Sequence, residues 1–130
     1  MPPVHIDLSW ILEVVERAGA GDPAIDDLGV AVAAVERHRA EVMEHAVYDG
    51  PYARAAALVH TLGRCRWLER SNLTVAAAVG AMYLAASGIN TAPDKTHLRA
   101  LADELHDHRC TAARIVSLLR TWPAEPEPLS

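Results

Sequence analysis

The apolar run from Val75 to Ala86 limits what this chain can become more than any other feature. It is shorter than the ~20 residues a membrane helix needs. Val75, Ala78, Val79, Met82 and Tyr83 share one side of a helix, and Ala76, Ala77, Gly80 and Ala81 fill the rest. A helix that is apolar almost all round belongs inside other helices, so the run predicts the centre of a bundle. Ser71 is placed to cap its start, and Gly88 to close its end. The covering material is at hand: 130 residues are one domain's worth, and 51% of them are hydrophobic. Only 5% are aromatic and Phe is absent, so the core has to be built from small side chains that let helices approach closely.

The remaining elements follow from helical spacing. Val4 to Ile6 reads as a short extended lead into Asp7, which caps a helix from Leu8 to Arg17 with Leu8, Ile11, Leu12 and Val15 inward and Gly19 and Gly21 as stops. Asp26 or Asp27 starts a second helix with Leu28, Val32 and Val35 on its inner stripe, extended by Val42 and Met43 if the helix runs on; Arg37, Arg39 and Glu41 fall outside. In Tyr48-Asp-Gly-Pro51, Asp49 is a cap and Pro51 a first helical residue for a third helix to about Gly63, burying Ala55, Leu58, Val59 and Leu62. Residues 64 to 70 read as a loop. Beyond the apolar run come a helix from about Asp94 to Asp107 with Leu98, Leu101 and Leu105, and one from about Thr111 to Trp122 with Ile115, Leu118 and Leu119. The expected fold is all-α: a single domain, residues 1–122, of five to six helices around a buried fourth, with a disordered proline-rich tail at 123–130.

Charge is unevenly spread. The net charge is −5, with residues 1–53 at −7 and residues 71–130 at −1, while Arg54, Arg64, Arg66 and Arg70 against Glu69 make residues 54–70 a +3 island. An acidic chain argues against direct nucleic-acid binding. Cys65 and Cys110 have no CxxC spacing, which excludes a zinc knuckle or redox pair and fits a reducing compartment. No basic and apolar leader precedes Pro2 and Pro3, so the expectation is a cytoplasmic protein without a membrane segment.

The island sits directly before Ser71-Asn72 and the apolar helix. Backbone N–H groups at a helix start carry about half a positive charge, so Arg64, Arg66, Arg70, Ser71 and Asn72 are candidates for holding phosphate or another anion. The plainer alternative is that the arginines solvate a loop or pair with the acidic N-terminal half. Four other groups read as structural, solvated or incidental rather than chemical. His60 falls beside a buried stripe and reads as packed. His106 and His108 are two apart and point in different directions on a helix. His38, Glu41 and His45 would share a helical face if the helix runs on, enough in number for an open zinc site, yet read better as a solvated face. No metal site is expected. Cys65 lacks the histidine and acid partners of a nucleophile.

The stretch from Asp26 to Val35, then Val47-Tyr48 to Leu58, then Arg64-Cys-Arg-Trp-Leu-Glu-Arg-Ser-Asn72 and the long helix ending at Gly88 together resemble the Fic/Doc (death-on-curing) family over nearly the whole chain. The resemblance implies an active-site flap at Tyr48 and Tyr52. It also implies a signature, roughly His-Pro-Phe-x-Asp/Glu-Gly-Asn-Lys-Arg, at 66–74. Only Asn72 matches it. Arg66 stands in the catalytic histidine's place, Leu68 in the phenylalanine's, Arg70 in the acid's, Ser71 in the glycine's, and Leu73 and Thr74 in the basic pair's.

Moving a phosphoryl or nucleotidyl group to a hydroxyl calls for a base near the acceptor and for Mg²⁺ or cations on the phosphates. An arginine side chain offers donors only, so Arg66 cannot be that base. Losing a general base costs ~10²–10⁴-fold in rate. The resemblance therefore implies a toxin component of a bacterial toxin–antitoxin pair with a degenerate active site. Its partners would be a cognate antitoxin and a protein of the translation machinery, met mainly by binding. The alternative is an active transferase that phosphorylates or AMPylates a protein hydroxyl with ATP and Mg²⁺.

Overall fold

A computed structural model describes residues 3–126. Within them the chain forms six helices: α1 (Leu8–Ala18), α2 (Leu28–His38), α3 (Pro51–Arg64), α4 (Asn72–Ala86), α5 (Lys95–His106) and α6 (Ala112–Leu119). A two-stranded antiparallel hairpin, β1 (Glu41–Val42) and β2 (His45–Ala46), joins α2 to α3, with Glu41 opposite Ala46 and Val42 opposite His45. The protein is thus all-α apart from this small hairpin. No helix among the described residues is long and apolar enough to cross a membrane.

The centre is α3 rather than α4. Helices α2, α4, α5 and α6 all pack on α3, whereas α4 packs mainly on α3 and α1. Ala55, Ala56, Ala57, Leu58, Val59 and Leu62 of α3 are fully buried. Its small side chains let neighbours close in from every side. A Cβ added at Gly63 would lie 2.6 Å from Leu105 Cδ1, and one at Gly80 of α4 would lie 2.6 Å from Val59 Cγ2. The outer side of α4, with Ala78, Ala81 and Met82, is only half-buried. Small apolar residues at a surface and in a core read alike in a sequence, which is why the apolar run pointed to the wrong helix as the hub.

Local signals placed most boundaries. Asp7 accepts a hydrogen bond from Trp10 N–H, Asp27 from Gly29, and Thr111 from Arg114, each satisfying an otherwise orphaned N–H at a helix start. Asp94 does the same for α5 in a reciprocal box in which His97 Nδ1 accepts from the Asp94 N–H.

Four local expectations are corrected. Leu28 and Val32 are exposed; α2 buries Ala31, Ala34, Val35 and His38 instead, because α3 approaches so closely that alanines fill the interface. The helix ends at His38, so Val42 and Met43 ride on the hairpin in solvent and Arg37 is half-buried rather than outside. The residue before α3 is Gly50, at φ +92°, a conformation glycine adopts without strain, and Asp49 makes no cap. The tail is not free of structure at its start. Pro123 O accepts from Ala92 N–H at 2.8 Å and Glu125 N–H donates to Asn90 O at 3.0 Å, pairing Ala124 with Thr91. Residues 127–130 lie outside the described part.

The N-terminal strap completes the fold. Ile6 is buried, its N–H donating to His38 Nε2 at 3.1 Å, and Tyr83 O–H donates to Val4 O.

Candidate functional site

The α3–α4 loop, residues 65–71, carries most of the predicted anion seat. Trp67 and Leu68 are fully buried and pin it down. Its backbone is paired with the loop before α2: Asp26 N–H donates to Trp67 O at 2.8 Å, and Glu69 N–H to Ala24 O at 2.9 Å. Asn72 holds the turn from inside. Its Oδ1 accepts from the N–H groups of Trp67 (3.2 Å) and Leu68 (3.0 Å), and its Nδ2 donates to Leu68 O at 3.0 Å. Ser71 does not cap α4. It sits in the left-handed region at φ +68°, and its Oγ accepts from Ala20 N–H at 3.2 Å.

The arginines are dispersed by their partners. Arg64 points to the far side, where its Nη1 donates to the Leu105 and Asp107 carbonyls at 2.8 and 2.6 Å and so closes the end of α5. Arg70 donates to Ala20 O (2.7 Å) and Gly21 O (2.8 Å) and pairs with Glu69. Arg66 is exposed and makes no side-chain hydrogen bond among the described residues. Of the five residues expected to gather around an anion, four are engaged in closing the loop or its surroundings. Nor does any of these three arginines pair with an acid of the N-terminal half among the described residues: Arg64 and Arg70 are held by backbone carbonyls, and Arg70's acidic partner is its neighbour Glu69.

Tyr48 and Tyr52 lie at the other end. Arg54, in the first turn of α3, bonds to Tyr83 in the last turns of α4, so the two helices run antiparallel. The tyrosines at the start of α3 are therefore separated from the start of α4 by the length of that helix, about 20 Å at 1.5 Å per residue. Tyr48 accepts from Arg37 Nε at 2.6 Å, with the guanidinium 5.2 Å above its ring; Tyr52 lies 4.5 Å under the Arg120 guanidinium. The flap and the signature positions are not brought together.

His38, His60 and His106 are held in structural hydrogen bonds. Arg37 Nη1 donates to His60 Nδ1 at 2.6 Å and also to Thr61 Oγ1 at 3.1 Å. Because arginine only donates, Nδ1 of His60 is the acceptor and its Nε2–H faces Cys110 O at 3.3 Å. Burial and the Arg37 charge hold its pKa below the ordinary histidine value. In His38, Nδ1–H donates to Val35 O at 2.6 Å and Nε2 accepts from Ile6. Burial pushes its pKa down to about 4, so it stays neutral at pH 7. Glu41 and His45 are on the hairpin, exposed, and do not share a face with His38. Among the described residues no three histidine, cysteine or acidic side chains gather as metal ligands. His106 Nδ1–H donates to Ala102 O, four residues back in its own helix.

Comparison with protein-family models, curated proteins and solved structures finds no match for the chain.

Sequence reasoning passed over two features. One is the outer side of α4. A groove of about 450 Å³ runs between α1 and α4, walled by Trp10, Val14, Ala78 and Met82, and a second of about 210 Å³ lies between α4 and Leu98 of α5. Trp10 is 38% exposed. The other is Arg54, a buried cation at the start of α3. Its register was a signal: it lies one turn before Leu58, on the stripe already assigned to the core.

Proposed function

We propose that this chain works by binding a partner helix and not by transferring a group. The observation that carries the reading is the open outer side of α4. Ala78 lines both grooves, so an alanine floor is flanked by Trp10 and Met82 on one side and Leu98 on the other. Such a floor lets another helix backbone come close, and an exposed Trp at its edge is the kind of anchor on which binding energy concentrates. At the groove's edge Glu13 pairs with Arg17 at 2.7 Å, so the rim carries both signs of charge. The matching partner is an amphipathic helix whose apolar face meets the alanine floor.

This reading keeps the binding half of the Fic/Doc resemblance. The chain is then the toxin-like component of a bacterial toxin–antitoxin pair, cytoplasmic, with the antitoxin helix on α4. It gives up the transfer half, for which ATP and Mg²⁺ would be needed. Arg66 supplies no base, Asn72 is spent on the loop, and both nitrogens of His60 are occupied.

The reading requires a small helical protein encoded next to this chain, and the test is co-expression with it. A stable one-to-one complex whose affinity falls about tenfold or more in Trp10→Ala, with little change in Tm, supports the reading. A complex indifferent to Trp10→Ala and Ala78→Glu, or no complex, refutes it. Label moving from ATP to a protein in the presence of Mg²⁺ would restore the transferase.

A further inference from the structure

Helix α2 buries one side, Ala31, Ala34, Val35 and His38, against α3 and α1. On the opposite side Leu28 is 44% and Val32 43% exposed, and Gly29, Ala33 and Glu36 are exposed with them. Arg39, the residue after the helix, keeps a right-handed helical backbone. At ~3.6 residues per turn, Leu28, Val32, Glu36 and Arg39 therefore follow one another down the outer side, with Gly29 and Ala33 next to them. Two large apolar side chains beside a glycine and an alanine allow a second helix backbone to come close.

The charges at the two ends say which helix that is. Asp26, just ahead of α2, is exposed, and its carboxylate has no side-chain partner among the described residues. Arg39 is exposed at the far end and forms no ion pair among those residues. Asp7 is held acidic mainly by the Ser9 hydroxyl and feels the Arg39 charge least of the groups around it. Val32 lies midway between Asp26 and Arg39 in the sequence. Turned end for end about Val32, this side becomes its own complement: acid over base at both ends and apolar groups between. Glu36 then comes over the first turn of the opposite helix, where backbone N–H groups carry partial positive charge. A uniformly basic or uniformly acidic helix would match one end and clash with the other. Self-complementarity of this kind is what an isologous two-fold contact requires.

We propose that the chain forms an antiparallel dimer through the outer side of α2, with Val32 at the two-fold axis and Asp26 of each copy against Arg39 of the other. The contact is a single helix pair, smaller than the ~800 Å² per partner of a standard interface, so the dimer is of the transient class, with Kd ~10⁻⁵–10⁻⁴ M. It uses no residue of the groove on α4 and stands independently of it.

The experiment is sedimentation equilibrium of the full chain at low salt, up to a concentration of ~1 mM, with Tm measured on every variant. The unaltered chain should show a monomer–dimer equilibrium. Val32→Glu should be monomeric throughout, with Tm little changed because the position is exposed in the single chain. Asp26→Lys and Arg39→Glu should each weaken the dimer about tenfold, since each creates two like-charge contacts about the axis. The double variant Asp26→Lys, Arg39→Glu exchanges the charges at unchanged net charge and should recover the original affinity, which a parallel pair would not. Should Val32→Glu fail to fold, the charge variants decide. Ala78→Glu on α4 should leave the equilibrium as it was. A chain monomeric at ~1 mM, a dimer indifferent to Val32→Glu or to the single charge variants, a double variant no tighter than the singles, or dissociation by Ala78→Glu would each overturn the proposal.

Discussion

The two ends of α4 make opposite use of positive charge. At its start, Arg64, Arg66 and Arg70 crowd the sequence, yet Arg64 and Arg70 spend their donors on backbone carbonyls and Asn72 spends its amide on the loop. At its end a single arginine, Arg54, is buried and held by the Tyr83 hydroxyl and the Tyr48 carbonyl. A count of charges favours the start. Burial favours the end: Arg54 is buried, whereas Arg64, Arg66 and Arg70 are exposed. A guanidinium already satisfied by carbonyls has little left to give a ligand, so at the start Arg66 is the arginine that keeps its donors.

The largest test of that contrast is Asn72→Ala. If Asn72 is a staple, its loss orphans the Trp67 and Leu68 N–H groups and the Leu68 carbonyl, each worth ~1–3 kcal/mol when part-buried. The variant should lose about 3 kcal/mol in denaturant unfolding and free the loop to amide exchange. A fully stable Asn72→Ala that has lost only an anion would return the start of α4 to the role the sequence suggested. It follows that loss of activity in this variant would report folding before it reported binding.

Next in size is the response to acid at the other end. The His38 ring stacks edge-on with Tyr83, centroids 5.9 Å apart, beneath the N-terminal strap. Its folded pKa of about 4 lies below the ordinary 6.5, so as pH falls the unfolded chain takes up a proton first. His38's contribution is complete above pH 6.5 and is lost between there and about pH 4, up to about 3 kcal/mol. His60, also lowered, acts in the same direction. Unfolding followed from pH 7 to 4.5 should show Tm falling, with residues 4–6 and the end of α4 opening first. His38→Gln should be less stable at pH 7 but flatter in its pH dependence. An equal slope in that variant would place the acid sensitivity elsewhere.

How much of this was legible beforehand depended on whether a residue's role is local. Asp7, Asp27, Asp94 and Thr111 act within three residues of themselves, so their caps could be read off the sequence. The inner faces of α3, α5 and α6 were legible because leucine and isoleucine at helical spacing have few other uses. The stripe on α2 was not, because alanine buries as readily as valine when a neighbouring helix is close. The candidate site was least legible. Arg54 meets Tyr83 29 positions on, and Arg64 meets Leu105 41 positions on. No local pattern tells which arginine finds carbonyls on a distant helix and which finds a tyrosine hydroxyl. The one available clue, an arginine in register with Leu58 on a buried stripe, was outweighed by the density of arginines in the loop.

The smallest expected effect belongs to Arg66, and its smallness makes it informative. It is exposed and unpaired among the described residues, so Arg66→Ala should change stability by less than about 0.5 kcal/mol. Any function it has must then appear in binding alone, unconfounded by folding, which is not true of Asn72, Ser71 or Arg70. Titrating inorganic phosphate into the protein and into Arg66→Ala, read by amide shifts at residues 66–74, separates the two ends of α4. Equal and weak responses leave the start of the helix as a closed turn. A saturable response lost in Arg66→Ala would mean that one free arginine and the first N–H groups of α4 suffice for an anion, and the distinction between spent and unspent donors would then have to be drawn residue by residue at both ends.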